Sequence, residues 1–353
     1  MSDTEPQADA RPDWLAACTA LHVDTRTALE RALKAGRLSR ALLLSGPEGV
    51  GKGALALWLA RRLWCTGEKP PCDVCAQCRK VLTGNHQDLE WLERGQSGDD
   101  GKSESQEISV GAVRKLGEAL SRSAHEVEGR LAVVLGAEAL NEEAQNALLK
   151  LLEEPPGRSR LVLVAHQQEG LLDTVRSRCQ ELRVAPLSDV EMAQLFPDLD
   201  PARLALACGR PGRVEYLRAV QPDRLLELVD TSLAGERDAA RFVQQLGQLL
   251  DELAEERPDH DAASVRRVVM DVMLARVVDL AWAAEGVDGR PRFGDLRSRA
   301  AEWPALEDLQ RAARALHEAL GDLHRHLPAR VAWLALAQEF VAAGVGGQGP
   351  RTP

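Results

Sequence analysis

Apolar residues fall into two regimes along this chain, and the change comes near residue 185. Before that point, short apolar runs alternate with stretches whose apolar residues recur every three or four positions. Ala41-Leu42-Leu43-Leu44, Leu131–Leu135 and Leu161–Ala165 are continuous runs of strand length, the form expected of strands covered on both faces. Gln180–Val184 is a fourth candidate, with Leu182 and Val184 alternating with polar residues. Helical spacing fills the intervals. Trp14–Gly36 carries Leu21, Ala28, Leu29, Ala32 and Leu33 on one face, and Ala54–Leu63 follows the first run. Ala112–Ala124 carries Val113, Leu116 and Leu120. The next helix is capped by Asn141, striped by Ala144, Ala147, Leu148, Leu151 and Leu152, and ended by Pro155-Pro156. Strands alternating with helices predict an α/β fold, a parallel sheet with helices on both faces.

After Ala185-Pro186 only helical spacing remains. Ser188 and Glu191 form a capping box for Asp189–Phe196. Pro201–Cys208 and Arg213–Val220 flank the turn Gly209-Arg210-Pro211-Gly212. From about Pro222 the pattern predicts a bundle of four or five helices. Its faces include Phe242, Leu246, Leu249, Leu250 and Leu253; Val268, Val272, Leu280 and Trp282; Leu309, Leu316, Leu320 and Leu323; and Val331, Leu334, Leu336 and Phe340. His324 and His326 read as solvated. The division is therefore 1–185, 186–221, 222–345 and a Gly/Pro tail at 346–353. Within the first part, 95–107 is a polar, low-complexity insertion.

Composition narrows the function classes. Aromatic residues are only 3% of the chain, too few for broad base-stacking surfaces, and the formal net charge of −10 opposes autonomous, salt-resistant nucleic-acid binding. No apolar run approaches a membrane span, and the polar lead 1–12 has no apolar leader segment. Seven cysteines, an odd number, suit a reducing cytoplasm.

The chemistry centres on the first apolar run. Gly46-Pro47-Glu48-Gly49-Val50-Gly51-Lys52 lies between a strand and a helix. That is the layout of a phosphate-binding P-loop, with Gly46, Gly49, Gly51 and Lys52 as the nucleotide-binding candidates. Gly53 stands where a Ser or Thr hydroxyl should hold magnesium. The second run ends Leu135-Gly136-Ala137, whereas a working ATPase ends it in acids; the first acid is Glu138. The loop can hold ATP or ADP but is poorly built for the metal. Cys65, Cys72, Cys75 and Cys78 follow with spacing C-x6-C-x2-C-x2-C, which suits a closed structural Zn2+ site better than an iron–sulfur cluster. His86 reads as a surface histidine, with ligation as its alternative. Arg178 precedes the fourth strand, where a solvated pairing with Asp173 or Glu181 is the plain reading.

Three stretches together resemble the bacterial clamp-loader family of AAA+ proteins. They are Asn146–Pro156 (NALLKLLEEPP), Ser177-Arg178-Cys179 and the cysteine cluster behind the P-loop helix. The resemblance extends over about residues 20–345. It implies an AAA+ P-loop domain, a small helical lid at 186–221 and an all-α collar at 222–345. It further implies a five-subunit ring with ATPase (gamma/tau) subunits and a clamp-opening (delta) subunit. The ring opens the sliding clamp and loads it on primer–template DNA within the DNA polymerase III holoenzyme. Arg178 becomes an arginine finger supplied in trans. Gly53, Leu135-Gly136 and Ala165-His166-Gln167 depart from the motor subunits' pattern, so a non-hydrolysing scaffold subunit is expected. Two alternatives stand beside it: an active ATPase in which Glu138 or Glu142 replaces the missing acids, and a zinc-ribbon DNA-binding protein with a vestigial nucleotide fold.

Overall fold

A computed structural model describes residues 22–93, 107–166, 168–217, 244, 246–248, 250–251, 262–285 and 306–324. The expectations for the lead, for positions 95–106, for Gln167, for Phe242, Leu249, Leu253 and His326, for Val331–Phe340 and for the tail lie outside these residues. Elements are numbered in chain order among the described residues.

Five strands form one sheet: β1 (Ala41–Ser45), β2 (Leu89–Leu92), β3 (Leu131–Leu135), β4 (Arg160–Ala165) and β5 (Gln180–Arg183). Their order is β2-β3-β4-β1-β5, and every pairing is parallel. The three continuous apolar runs occupy the middle of the sheet. The two edge strands are less covered: β5 alternates half-buried with exposed residues, and β2 buries only its two end leucines. β2 is an element the apolar pattern did not predict. Its Leu89-Glu90-Trp91-Leu92 is too short and too polar to register as a run.

Alternate residues of the central strands feed two separate cores. Leu43, Ala132, Val134, Leu161 and Leu163 pack with Val113, Leu116, Leu148 and Leu152 of α4 (Val110–Ser121) and α5 (Glu142–Glu153). Leu42, Leu44, Val133, Val162 and Val164 pack with Leu29 of α1 (Val23–Lys34) and with Leu55 and Leu59 of α2 (Lys52–Trp64). Helices on both faces of a parallel sheet follow from this alternation. The caps agree: the Asn141 side chain accepts from the Ala144 N–H at 2.9 Å, and α5 stops two residues before Pro155. A short helix, α3 (Ala76–Leu82), lies in the cysteine loop, and α6 (Asp173–Arg176) precedes β5.

Asp88 fastens the lower end of this sheet. It is fully buried, and its carboxylate accepts N–H donors from His125 (2.8 and 3.1 Å) and Glu126 (2.8 Å), with Arg130 Nη2 at 3.5 Å. Asp88→Ala orphans two amides and removes one of the two carboxylates facing the buried Arg130, which keeps Glu90. It should lower stability by about 3 kcal/mol in urea unfolding, with no effect on metal content.

The described residues divide into two compact units, one running to Glu191 and including Arg210–Gly212, the other comprising Met192–Gly209 and the chain from Arg213. α7 (Asp189–Leu195) opens with the expected capping box, Ser188 N–H to Glu191 Oε2 at 2.8 Å and Glu191 N–H to Ser188 Oγ at 3.3 Å. The second unit is helical: α8 (Pro201–Leu206), α9 (Val214–Leu217), α10 (Ala262–Ala284) and α11 (Leu306–His324). Val268, Val272 and Leu280 of α10 and Leu309 and Leu316 of α11 are buried, as the spacing predicts. Trp282 is not: it is 45% exposed, a departure from the expected apolar face.

Candidate functional site

The loop between β1 and α2 turns on glycines. At Gly46 (φ 140°) a Cβ would sit 2.3 Å from the Val184 carbonyl oxygen, and Gly51 (φ 100°) opens the helix from the left-handed region. No side chain fits the first position, and few tolerate the second. Lys52 begins α2 and is 3% exposed. Its Nζ donates to the carbonyl oxygens of Gly46 (2.6 Å) and Pro47 (2.7 Å), inside the curve of the loop. Burial lowers its ammonium to about 8, partly opposed by the carboxylates of Glu138 and Glu48. The four predicted residues therefore lie in one glycine-rich turn at a helix N-terminus, with the Lys52 ammonium held on the turn's own carbonyls.

The metal side of this turn is different. A Cβ built on Gly53 would lie 3.8 Å from Leu135 Cδ2. Thus the place for the hydroxyl and the place for the acid face one another as a glycine and a leucine. Glu138 lies in the short 3-10 turn Ala137–Ala139 beyond β3, where its Oε2 accepts the His166 N–H at 3.2 Å. It acts on Lys52 as a charge; Glu142 stays exposed in the first turn of α5. The turn Arg210–Gly212 also meets the loop: the Gly212 N–H donates to the Gly49 carbonyl at 2.8 Å, where a Cβ would approach Gly49 Cα to 3.0 Å. Arg210 depresses the Lys52 ammonium further. Nothing in the apolar pattern pointed to this contact, which joins positions far apart in the chain.

Arg178 lies in the loop between α6 and β5, exposed, as expected. Its partners are not the expected ones. Nε donates to Glu153 Oε1 at 2.5 Å and Nη1 to the Thr174 carbonyl at 2.9 Å. Asp173 pairs instead with Arg176, and Glu181 accepts from Ser45 Oγ at 2.6 Å. Gln145, 4% exposed, holds the surrounding loop: its amide donates to the carbonyls of Leu140 and Gly170 (both 3.0 Å) and accepts the Leu172 N–H at 2.8 Å. Sequence reading passed over Gln145 because it is a polar residue inside an apolar stripe. Cys179 packs against the core, and burial pushes its thiol up to about 12.

The sulfurs of Cys65, Cys72, Cys75 and Cys78 all lie within 4.8 Å of one another, a cluster able to hold a metal ion. Amide N–H groups aim at them: Gly67 and Cys72 at Cys65 (both 3.3 Å), Cys75 at Cys72 (3.3 Å) and Cys78 at Cys75 (3.5 Å). Such donors favour thiolate over thiol. At Cys75, desolvation raises the thiol, but N–H donors from Cys78 and Thr66 outweigh it and hold the group at about 5. Gly67 leaves no room for a side chain, since a Cβ would lie 2.8 Å from Cys72 Sγ. His86 is outside the cluster. It is buried, stacked on Trp64 with ring centroids 4.3 Å apart and bonded to Gln77 Oε1 at 2.9 Å, so it braces the loop and is not a surface residue. Arg61 reaches across from α2 to Asp73 in the same loop.

A parallel five-stranded sheet, a P-loop on the second strand from one edge and a cysteine cluster after its helix define a P-loop α/β module with a candidate metal loop. Residues 22–188 match the family model described as DNA polymerase III, delta subunit. The chain is 36% identical over 189 residues to DNA polymerase III subunit delta' of Bacillus subtilis, covering 53% of this chain and 55% of that one. It is 36% identical over 199 residues to the delta' subunit of Escherichia coli (52% and 56%). To the tau subunit of Salmonella typhimurium it is 30% identical over 325 residues (90% and 44%). Together these matches support a delta-prime clamp-loader assignment. The chain spans about half the length of the curated relatives it matches. Among solved structures, a gamma subunit-related protein of Thermotoga maritima aligns over 90% of this chain and 99% of its own, with 15% identity and a TM-score of 0.43.

Proposed function

We propose that this chain is the non-hydrolysing scaffold subunit of a replicative clamp loader, with an AAA+ module, a helical lid at 186–221 and a collar at 222–345. In this reading it works in the cytoplasm beside gamma/tau ATPase subunits and a delta subunit, in a ring that opens the sliding clamp and places it on primed DNA. Its own contribution is a rigid module, a structural Zn2+ held by Cys65, Cys72, Cys75 and Cys78, and Arg178 offered to a neighbour's nucleotide. Chain turnover of nucleotides belongs to the polymerase partners, and ATP turnover to the motor subunits.

One observation carries the scaffold reading: Gly53 and Leu135 face one another where a hydroxyl and a carboxylate are needed. Phosphoryl transfer depends on positioned charge and metal, and an apolar contact supplies neither. Gly46, Gly49, Gly51 and Lys52 still form an anion cradle, so ADP or ATP binding without hydrolysis is compatible with the site. The motor reading has Glu138 in its favour, since that carboxylate acts on Lys52. However, Glu138 already holds the His166 N–H, and position 53 after the P-loop lysine is a glycine. A DNA-binding zinc ribbon is disfavoured by the net charge of −10.

The isolated chain should therefore show no steady-state ATP turnover above the protein-free rate, with or without primed DNA. A measurable rate that Lys52→Ala abolishes would overturn the scaffold reading in favour of a motor.

A further inference from the structure

The end of the sheet opposite the P-loop carries an arrangement that the proposed function does not call on. Arg40 immediately precedes β1, Arg160 begins β4 and Arg130 precedes β3, so three arginines stand side by side along one sheet edge: the Arg160 N–H donates to the Arg130 carbonyl at 2.8 Å and the Leu161 N–H to the Arg40 carbonyl at 2.7 Å. Between this edge and the cysteine loop opens a cleft of about 590 Å3. Arg40 and Arg160 line it together with Leu63, Val127, Gln77 and Gly157.

Charge in the cleft does not cancel. Arg130 bonds to Glu90 at 2.9 Å and faces Asp88; Glu126 is paired with Lys80 at 2.5 Å, and Glu128 with Arg158. Arg40 and Arg160 bond to carbonyls alone. Arg40 Nε donates to Ser159 at 3.2 Å, and its Nη2 to Pro155 at 2.5 Å and to Gly157. Arg160 Nη1 donates to Leu38 at 3.1 Å and Ser39 at 2.9 Å. Both guanidiniums are thus fixed in place by neutral acceptors, and Arg40 Nη1 and Arg160 Nε and Nη2 keep donors in reserve. Burial, and then the neighbouring charge of Arg40, depresses Arg160. Two like charges held together without a carboxylate favour an anion carrying about two negative charges.

We propose that this cleft binds a phosphate monoester of nucleoside-monophosphate size. Its phosphate would be held by the free donors of Arg40 and Arg160 and its nucleoside by the wall of Leu63, Val127 and Gln77. The size fits, since clefts for small organic ligands span ~300–1,000 Å3 and combine apolar walls with a few placed polar groups. A phosphate monoester is near a dianion at neutral pH and presents the paired oxygens that a guanidinium fork meets. Glu126 and Glu128 also line the cleft, each in an ion pair, so no continuous basic track runs along it, which suits a ligand charged at one end rather than a polyanion.

The test is calorimetric titration of AMP and, separately, inorganic phosphate into the full-length, metal-loaded Lys52→Ala chain, so that the P-loop contributes nothing. Saturable AMP binding is expected, at least 10-fold tighter than inorganic phosphate. Arg160→Gln should weaken it 10-fold or more and Arg160→Lys by less, while Arg114→Gln, exposed on α4 outside the cleft lining, changes it under 2-fold. Circular dichroism on each variant separates lost binding from lost fold. No saturable AMP binding, equal affinity for inorganic phosphate, or an unchanged affinity in folded Arg160→Gln overturns the proposal. So does equal competition by a single-stranded oligonucleotide lacking terminal phosphates. None of these outcomes bears on the scaffold reading, which is decided by turnover in the unmodified chain.

Discussion

Clamp-loader complexes assembled with Arg178→Ala will hydrolyse ATP at the neighbouring site ~10³-fold more slowly in single-turnover assays, although this chain keeps its fold and its place in the ring. The reasoning begins with where the side chain is held. Arg178 leaves the sheet module in the loop before β5, on the exposed side of an edge strand. Glu153 and the Thr174 carbonyl occupy its Nε and Nη1, so the fork is oriented before any partner arrives and its other nitrogen is left to reach outward. An ion pair this exposed is worth little to stability, so its loss should barely move unfolding. A phosphate at a desolvated interface is a stronger partner for the fork than an exposed Glu153. Arg178→Lys restores charge but not the fork and should recover only part of the rate. Complexes that hydrolyse ATP and load clamps at the unmodified rate without Arg178 would remove the finger from this account.

The second large effect is expected at the cysteine cluster. Elemental analysis of the purified chain should give one zinc, and Cys75→Ser should bring it to nearly none. A four-thiolate site binds Zn2+ with ~10–16 kcal/mol of apparent free energy in small domains, and that energy is what folds a loop with little core of its own. Cys78 and Val81 are the buried residues of α3, too few to hold the loop without a metal. Proteolysis should then cut between residues 66 and 77, while Trp64, anchored at the end of α2 and stacked on His86, stays in place with the sheet. A Cys75→Ser chain that retains a full equivalent of zinc, or a wild-type chain that holds none, contradicts the assignment.

The parts legible in the sequence were those whose signal is local. Continuous apolar runs located β1, β3 and β4 because central parallel strands are covered on both faces, and the glycine pattern located the P-loop because left-handed backbone demands that residue. β2 was missed for the converse reason: Leu89-Glu90-Trp91-Leu92 is an edge strand, recognisable only beside β3. His86 looked like a surface histidine because its burial depends on Trp64, which stacks on it from another element. The partner of Arg178 was misjudged in the same way. Asp173 and Glu181 are near in sequence, whereas Glu153 lies 25 positions away and becomes a neighbour only when α5 packs beside the loop. Arg40 and Arg160 gave no signal at all, since their partners are main-chain carbonyls that no residue type encodes.

The contact between Gly53 and Leu135 also bears on what this chain can become. On the scaffold reading, hydrolysis would require a hydroxyl at one position and a carboxylate at the other, and neither change supplies it alone. A threonine at 53 would set its hydroxyl against a leucine methyl with no metal to hold. An aspartate at 135 would place a half-buried carboxylate against an apolar neighbour without a cation, which is the costlier intermediate. A motor's site would therefore take both changes together. The two positions are thus coupled: each residue suits the other as it stands, and a change at one goes uncompensated until the other follows.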